Sequence, residues 1–163
     1  MSSDDEPRWL DEDEREVWLA LVGVMIRVPA ELDRQLQRDS DMSHFEYQVL
    51  AGLSDAAERT LRMSDLAGFT EGSLPRLSQV VGRLERRGWV ARRPDPTDGR
   101  YTLATLTDDG FAELERAAPG HVEAVRRLVF DPLTPAQRTQ LSGIGRAILD
   151  GLDRNRCDEG RTS

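Results

Sequence analysis

The chain has 163 residues, 38% apolar and 32% charged, with a formal net charge of −8. That length suffices for one compact core with extra helices around it and is too short for two full domains. No apolar run approaches the roughly 20 residues that cross a bilayer, the start MSSDDEPRW lacks the basic region and apolar stretch of a secretion signal, and Cys157 is the only cysteine beside two histidines, His44 and His121. A cytoplasmic chain with no membrane contact, no disulfide framework, no metal site and no cofactor is expected.

In chain order, residues 1–12 gather much of the acidic excess and predict a disordered acidic N-terminus. Residues 13–38 predict a helix, because Val17, Leu21, Val24, Val28, Leu32 and Leu36 recur at helical spacing and Trp18, Leu19 and Met25 widen the stripe. Pro29 should kink it. Ser43 with Glu46 forms an S-x-x-E capping box for a helix through Tyr47, Leu50 and Leu53 to about Ala57. A short helix follows over residues 63–69 with Ser64 as its N-cap, and residues 70–72 make a glycine-containing turn.

The next stretch reverses the charge of the chain. Between residues 76 and 100 there are seven arginines against Glu85, Asp95 and Asp98, a local balance of +4 within a protein of −8. Such a reversal suits a polyanion, since neutralising phosphates releases condensed counterions. All 22 basic residues are arginine, a usage better ascribed to codon bias than to recognition. Ser73 predicts an N-cap, Pro75 sits in the first turn, and Gly88 supplies a left-handed stop. At about 100° per residue, Leu74, Leu77, Val80, Val81 and Leu84 fall on one side. Pro75, Ser78, Gln79, Gly82, Arg83 and Arg86 fall opposite, a polar face of the kind that reads base edges in a major groove.

After this helix, residues 89–91 read as a strand, 94–99 as a turn and 101–106 as a returning strand. Helix, turn, helix and hairpin make a winged helix-turn-helix over residues 43–106. Thr107 caps a longer helix through Phe111, Leu114 and Val122 to about Val129, interrupted near Pro119 and Gly120. Thr134, Pro135 and Gln137 start a last helix carrying Leu141, Ile144, Ile148 and Leu152. Residues 154–163 predict a disordered polar tail. The fold class is therefore mainly α with a small β-hairpin wing, a winged helix-turn-helix flanked by helices at 13–38 and 107–153 whose own apolar stripes need burial. A second copy is the simplest place for them, and packing on their own winged unit is the alternative.

These residues resemble the MarR family of bacterial transcriptional regulators over most of the chain. The wing is the most specific piece: Asp98-Gly99-Arg100, Leu103, Leu106-Thr107 and Gly110 are similar to the family's D-x-R-x-x-x-V-x-L-T pattern followed by glycine. Residues 84–92, LERRGWVAR, resemble its L-E-x-x-G-hydrophobic-V-x-R stretch. The resemblance implies that Arg100 enters the minor groove and that Asp98 orients it by a salt bridge. It also implies a homodimer interlocked through the terminal helices, bound to a pseudo-palindromic operator of double-stranded DNA, with repression as the usual outcome. Gly99 stands where many members carry a second arginine, so the wing tip offers one fewer cation.

The DNA-contacting set expected is Ser73, Pro75, Arg76, Ser78, Gln79, Arg83 and Arg86 from the helix, with Asp98 and Arg100 from the wing. For a small anionic or phenolic effector, which the resemblance implies, the candidates are Trp18, Met25, His44 and Tyr47. Redox sensing is not expected, because Asp158 and Glu159 beside Cys157 would raise its thiol pKa. No nucleophile with its base, phosphate-cradling glycine loop or ligand cluster marks an enzyme, and the Thr107-Asp108-Asp109-Gly110 run reads as a helix start. The alternative in another class is a winged-helix adaptor that binds protein rather than DNA.

Overall fold

The computed structural model describes residues 7–159, with side chains through Arg154. Asp4, Asp5, Glu6 and the side chain of Cys157 lie outside the described residues. Two compact units divide the chain, Met1–Val122 and Glu123–Ser163.

Helix α1 (Glu12–Ser40) begins one residue earlier than its apolar stripe predicts. The reason is local. Asp11 accepts the Glu14 N–H at 2.8 Å while the Glu14 carboxylate accepts the Asp11 N–H at 3.1 Å, a capping box that sequence spacing alone did not flag. The helix carries Pro29 within it and ends where Asp41 adopts a left-handed conformation, φ 47°. Only Leu32, Gln35 and Leu36 of this helix are buried. Upstream, Val17, Trp18, Val24, Met25 and Ile26 are all at least half exposed.

Helix α2 (His44–Asp55) starts with the expected capping box: Ser43 Oγ accepts the Glu46 N–H at 3.1 Å and Glu46 Oε2 accepts the Ser43 N–H at 2.8 Å. After a 3₁₀ turn at Ala57–Arg59 comes a strand that the sequence reading lacks, β1 (Thr60–Arg62). Three residues are too few to display alternation. Its place is fixed by partners distant in sequence: Thr60 pairs with Thr105, Leu61 with Ala104 and Arg62 with Leu103. Helix α3 (Met63–Phe69) follows directly, so Arg62 occupies the N-cap position and Ser64 does not cap. Ser64 Oγ instead donates to Asp65 Oδ1 at 3.3 Å.

Helix α4 (Leu74–Arg86) leads into β2 (Val90–Pro94) and β3 (Thr102–Leu106), somewhat shifted from the expected spans. The antiparallel sheet has the order β1-β3-β2, so the wing is anchored to the body by a third strand. Leu36, Met42, Leu50, Leu53, Leu66, Leu77 and Leu84 are fully buried and form the centre of the core, joined by Val90, Ala104 and Leu106 from the sheet.

Thr107 caps helix α5 (Asp108–Val125) as expected, accepting the Gly110 N–H at 3.0 Å and donating to the Gly88 carbonyl at 2.7 Å. The expected interruption at Pro119 and Gly120 does not occur. Pro119 lies on an exposed face of the helix, which continues through it to Val125 without its N–H bond. Gly120 sits close to α1, where a Cβ would come within 3.3 Å of Gln35 Nε2. Irregularity comes later, in a π-helical turn at Arg126–Phe130.

Helix α6 (Pro135–Glu159) starts with Thr134 and Gln137 in reciprocal capping, at 2.9 and 3.3 Å. It runs six residues past the expected end at 153, because no breaker appears between Gly151 and Gly160. Leu141, Ile144, Ile148, Leu149 and Leu152 on it are exposed. Among the described residues no helix is long and apolar enough to cross a membrane.

Candidate nucleic-acid interface

Helix α4 presents one face to the core and one outward. Leu77, Val80, Val81 and Leu84 are 0–4% exposed and tie the helix down. Pro75, Ser78, Gln79, Arg83 and Arg86 are exposed, as the spacing predicts, while Gly82 of the same face is half-buried; Ser73 and Arg76 are exposed as well. Ser73 Oγ accepts the Arg76 N–H at 3.4 Å, and Pro75 occupies the first turn. Leu74 departs from the prediction. The spacing puts it on the packed face, yet at the first position of the helix it is 50% exposed.

The seven arginines of this stretch are not equally free. Arg83 Nε donates to Glu46 Oε1 at 3.1 Å, so one of its donors is engaged with α2. Burial alone would raise the Glu46 carboxyl, but hydrogen bonds from the Ser43 N–H and Arg83 outweigh it and hold the group below its ordinary value. Arg87 donates to the Asp41 carbonyl at 2.7 Å and to its carboxylate at 3.0 Å, tying the end of α4 to the end of α1 at the surface. Arg92 is held by Glu85 at 2.6 Å, and Arg76 lies over the Phe45 ring at 4.4 Å. Among the described residues Arg86 and Arg93 form no ion pair.

The wing tip is built around two aspartates. Arg100 donates from Nε to Asp98 Oδ1 at 3.0 Å and from Nη2 to Oδ2 at 2.7 Å, a bidentate grip of the kind expected. Its side chain is nonetheless 84% exposed, so the guanidinium is aimed without being covered. Hydrogen bonds from the Arg100 side chain and N–H lower the Asp98 carboxyl. Asp95 was counted in the sequence only as a charge, and the structure gives it a larger part. It accepts the Thr97 N–H at 2.8 Å, the Thr97 hydroxyl at 2.7 Å and Arg62 at 2.7 Å, and its pKa is pushed down to about 2, first by the two Thr97 bonds and then by Arg62. The Asp95-Pro96-Thr97 spacing of a side chain folding onto the backbone two residues on could have revealed the Thr97 half of this motif. Nothing in the sequence pointed to Arg62.

The four effector candidates separate. His44 and Tyr47 meet at His121, with ring centroids 5.5 and 4.2 Å from it. Asp33 on α1 accepts the His44 N–H at 2.8 Å. Trp18 and Met25 lie 15 and 8 residues before Asp33 on the same helix, or about 22 and 12 Å along its axis, and do not join this cluster within one chain. They belong to the exposed stripe of α1. A cavity of about 600 Å³ opens between α1, α2 and α4, with Asp33, His44, Gln48, Arg76, Gln79 and Arg83 on its wall. Sequence reasoning missed His121: burial lowers its pKa, assisted by the charge of His44, and its Nδ1 has no partner among the described residues.

The family model that matches this chain is that of the MarR family, over residues 40–100. In structure the chain is similar to Sco3205, a MarR family transcriptional regulator from Streptomyces coelicolor solved in complex with DNA, with 46% identity and a TM-score of 0.87 over 91% of this chain and 93% of that one. It is also similar to AbsC, a MarR family regulator from the same organism, with 33% identity and a TM-score of 0.85 over 90% of this chain and 99% of that one. Among curated proteins it is 28% identical over 141 residues to the HTH-type transcriptional regulator PecS of Dickeya dadantii, covering 84% of this chain and 82% of that protein. A helix-turn-helix with an arginine-bearing wing, together with nearly full-length likeness at this level of identity, establishes that the chain belongs to the MarR family of transcriptional regulators.

Proposed function

We propose that this regulator acts as a homodimeric repressor on a pseudo-palindromic operator, with the outward face of α4 in the major groove and the wing in the adjacent minor groove. The carrying observation is the pairing of Asp98 with an Arg100 that stays 84% exposed. An arginine oriented in advance loses less side-chain freedom on reaching a narrow, electronegative groove. Gln79 supplies a base-reading group, Ser73, Pro75, Arg76 and Ser78 the approach of the helix N-terminal half to the backbone, and Arg83 and Arg86 the phosphate contacts.

The dimer follows from apolar surface that has no cover. Trp18, Val24, Met25 and Ile26 on α1, and, separately, Ile144, Ile148, Leu149 and Leu152 on α6, are 44–65% exposed, so each helix carries an apolar stripe that a monomer does not normally leave in water. Two copies sharing this surface would set their α4 helices about one helical turn of DNA apart, suiting half-sites spaced by about 10 bp. The cavity walled by His44 and Arg76 is the natural seat for a small anionic or phenolic effector, since a ligand there would touch α1, α2 and the DNA-reading helix at once.

The decisive experiment is selection of bound duplexes from a random pool, followed by affinity measurements across salt concentrations and by the mass of the protein in solution. A dimer that recovers a two-fold symmetric sequence, with affinity falling steeply in salt, is expected. A monomer indifferent to duplexes at low ionic strength overturns the reading, and salt-insensitive binding would favour an adaptor.

A further inference from the structure

Leu74 is the only apolar residue on the inward arc of α4 that the core does not cover, and what it does cover is a groove. Between α4 and the wing lies a space of about 400 Å³ whose lining includes Met63, Ser64, Leu74, Ser78, Arg92, Arg100 and Tyr101. Leu74 is 50% and Tyr101 40% exposed. Arg92 and Arg100 are held in position by Glu85 and Asp98, at 2.6 and 2.7 Å, so the rim is set before anything binds.

A helix in a major groove and a wing in the neighbouring minor groove bracket one sugar–phosphate strand between them. Base edges do not enter that gap. A backbone strand offers anionic oxygens along its margin and the C–H face of deoxyribose beneath, which matches a space lined both by hydroxyl and guanidinium groups and by the apolar side chains of Met63 and Leu74. We propose that this groove seats one backbone strand of the bound duplex, with a deoxyribose ring packed on Leu74. The inference rests on the DNA-binding function proposed above and adds to it a contact that carries affinity but neither charge nor base preference.

That combination is measurable. Burying the C–H face of one sugar on a leucine gains affinity in proportion to apolar area and releases no counterion. Salt titrations of the full chain would compare wild type, Leu74→Ala and Leu74→Met on a selected duplex, an unrelated duplex, and versions in which each thymine in turn is replaced by deoxyuridine. Leu74→Ala should bind every duplex about three- to tenfold more weakly per half-site with the same salt slope, Leu74→Met should restore most of the loss, and deoxyuridine should change nothing that depends on residue 74. Three outcomes overturn the seat: unchanged affinity in Leu74→Ala, a loss confined to one thymine position and reproduced by deoxyuridine, which would place Leu74 in the major groove, or a change of about one unit in salt slope. Wild-type protein that binds none of the duplexes removes the DNA-binding reading along with the seat, whereas wild type that binds tightly beside an unaffected Leu74→Ala removes the seat alone.

Discussion

The guanidinium of Arg62 grips Asp95 Oδ2 with Nε at 2.8 Å and Nη2 at 2.7 Å, across 33 residues of chain. It joins the edge strand β1 to the first residue of the wing turn, and the same guanidinium lies 4.5 Å from the Tyr101 ring at the far end of that turn. Both ends of the turn thus lean on one arginine. Asp95→Asn should leave the core intact, shown by an unchanged far-ultraviolet spectrum, while loosening the wing, read as faster amide exchange at residues 97–100 and weaker DNA binding. The pH dependence has a defined sign: the folded carboxyl titrates at about 2, below its ordinary 3.8, so its contribution is complete above about pH 4 and is lost as pH falls through 2. Protection at residues 97–100 that is equal in wild type and Asp95→Asn would show that the latch does not hold the wing.

Arg100 and Gln79 should fail in different ways. Arg100→Ala removes a cation, so binding should weaken on every duplex and the salt slope should fall by about one unit. Gln79→Ala should relax preference at one base pair, by about 1 to 3 kcal/mol, with the slope retained. Affinity titrations against a set of singly altered operators check both. A uniform loss in Gln79→Ala would assign that residue to the backbone.

Legibility in the sequence followed the range of the interactions. Caps at Ser43, Ser73, Thr107 and Thr134 were readable because each is settled within three residues, and the Asp98–Arg100 grip, spaced by two, came with the wing motif. Strand β1 was not readable, since its partners lie more than 40 residues away and its three residues carry no period. Leu74 was misplaced for a related reason: helical spacing says which way a side chain points, not whether the core extends that far. His121 stayed hidden because its meaning comes from His44 and Tyr47, which only the packing of α5 against α2 brings near.

The His44–Tyr47–His121 cluster should make stability depend on pH near neutrality. Burial lowers both histidine pKa values, with Asp33 partly opposing this at His44, so the unfolded chain takes up protons that the folded one resists. The contribution is fully present above about pH 6.5 and declines as the pH falls below it. Urea midpoints measured at pH 7.5 and 5.5 should drop for wild type and drop less for His121→Phe. Equal drops in the two proteins would assign the acid sensitivity to other groups.

Arg83 tests whether a cation on the DNA-facing side serves the fold or the ligand. Its Nε reaches Glu46 Oε1 at 3.1 Å, while the other oxygen of that carboxylate caps α2 through the Ser43 N–H at 2.8 Å. Glu46 is only 8% exposed and Arg83 48%, so solvent screens the pair from one side and the buried partner stands to lose more. Glu46→Ala should therefore destabilise by about 1 to 3 kcal/mol, through the lost cap and the freed Ser43 N–H, and Arg83→Ala by less. A double-mutant cycle from urea unfolding should give a coupling above about 0.5 kcal/mol. If the coupling is present and Arg83→Ala also lowers the salt slope of DNA binding as much as Arg100→Ala does, Arg83 leaves Glu46 for a phosphate when the duplex arrives; absent coupling with the same slope change assigns Arg83 to the ligand alone.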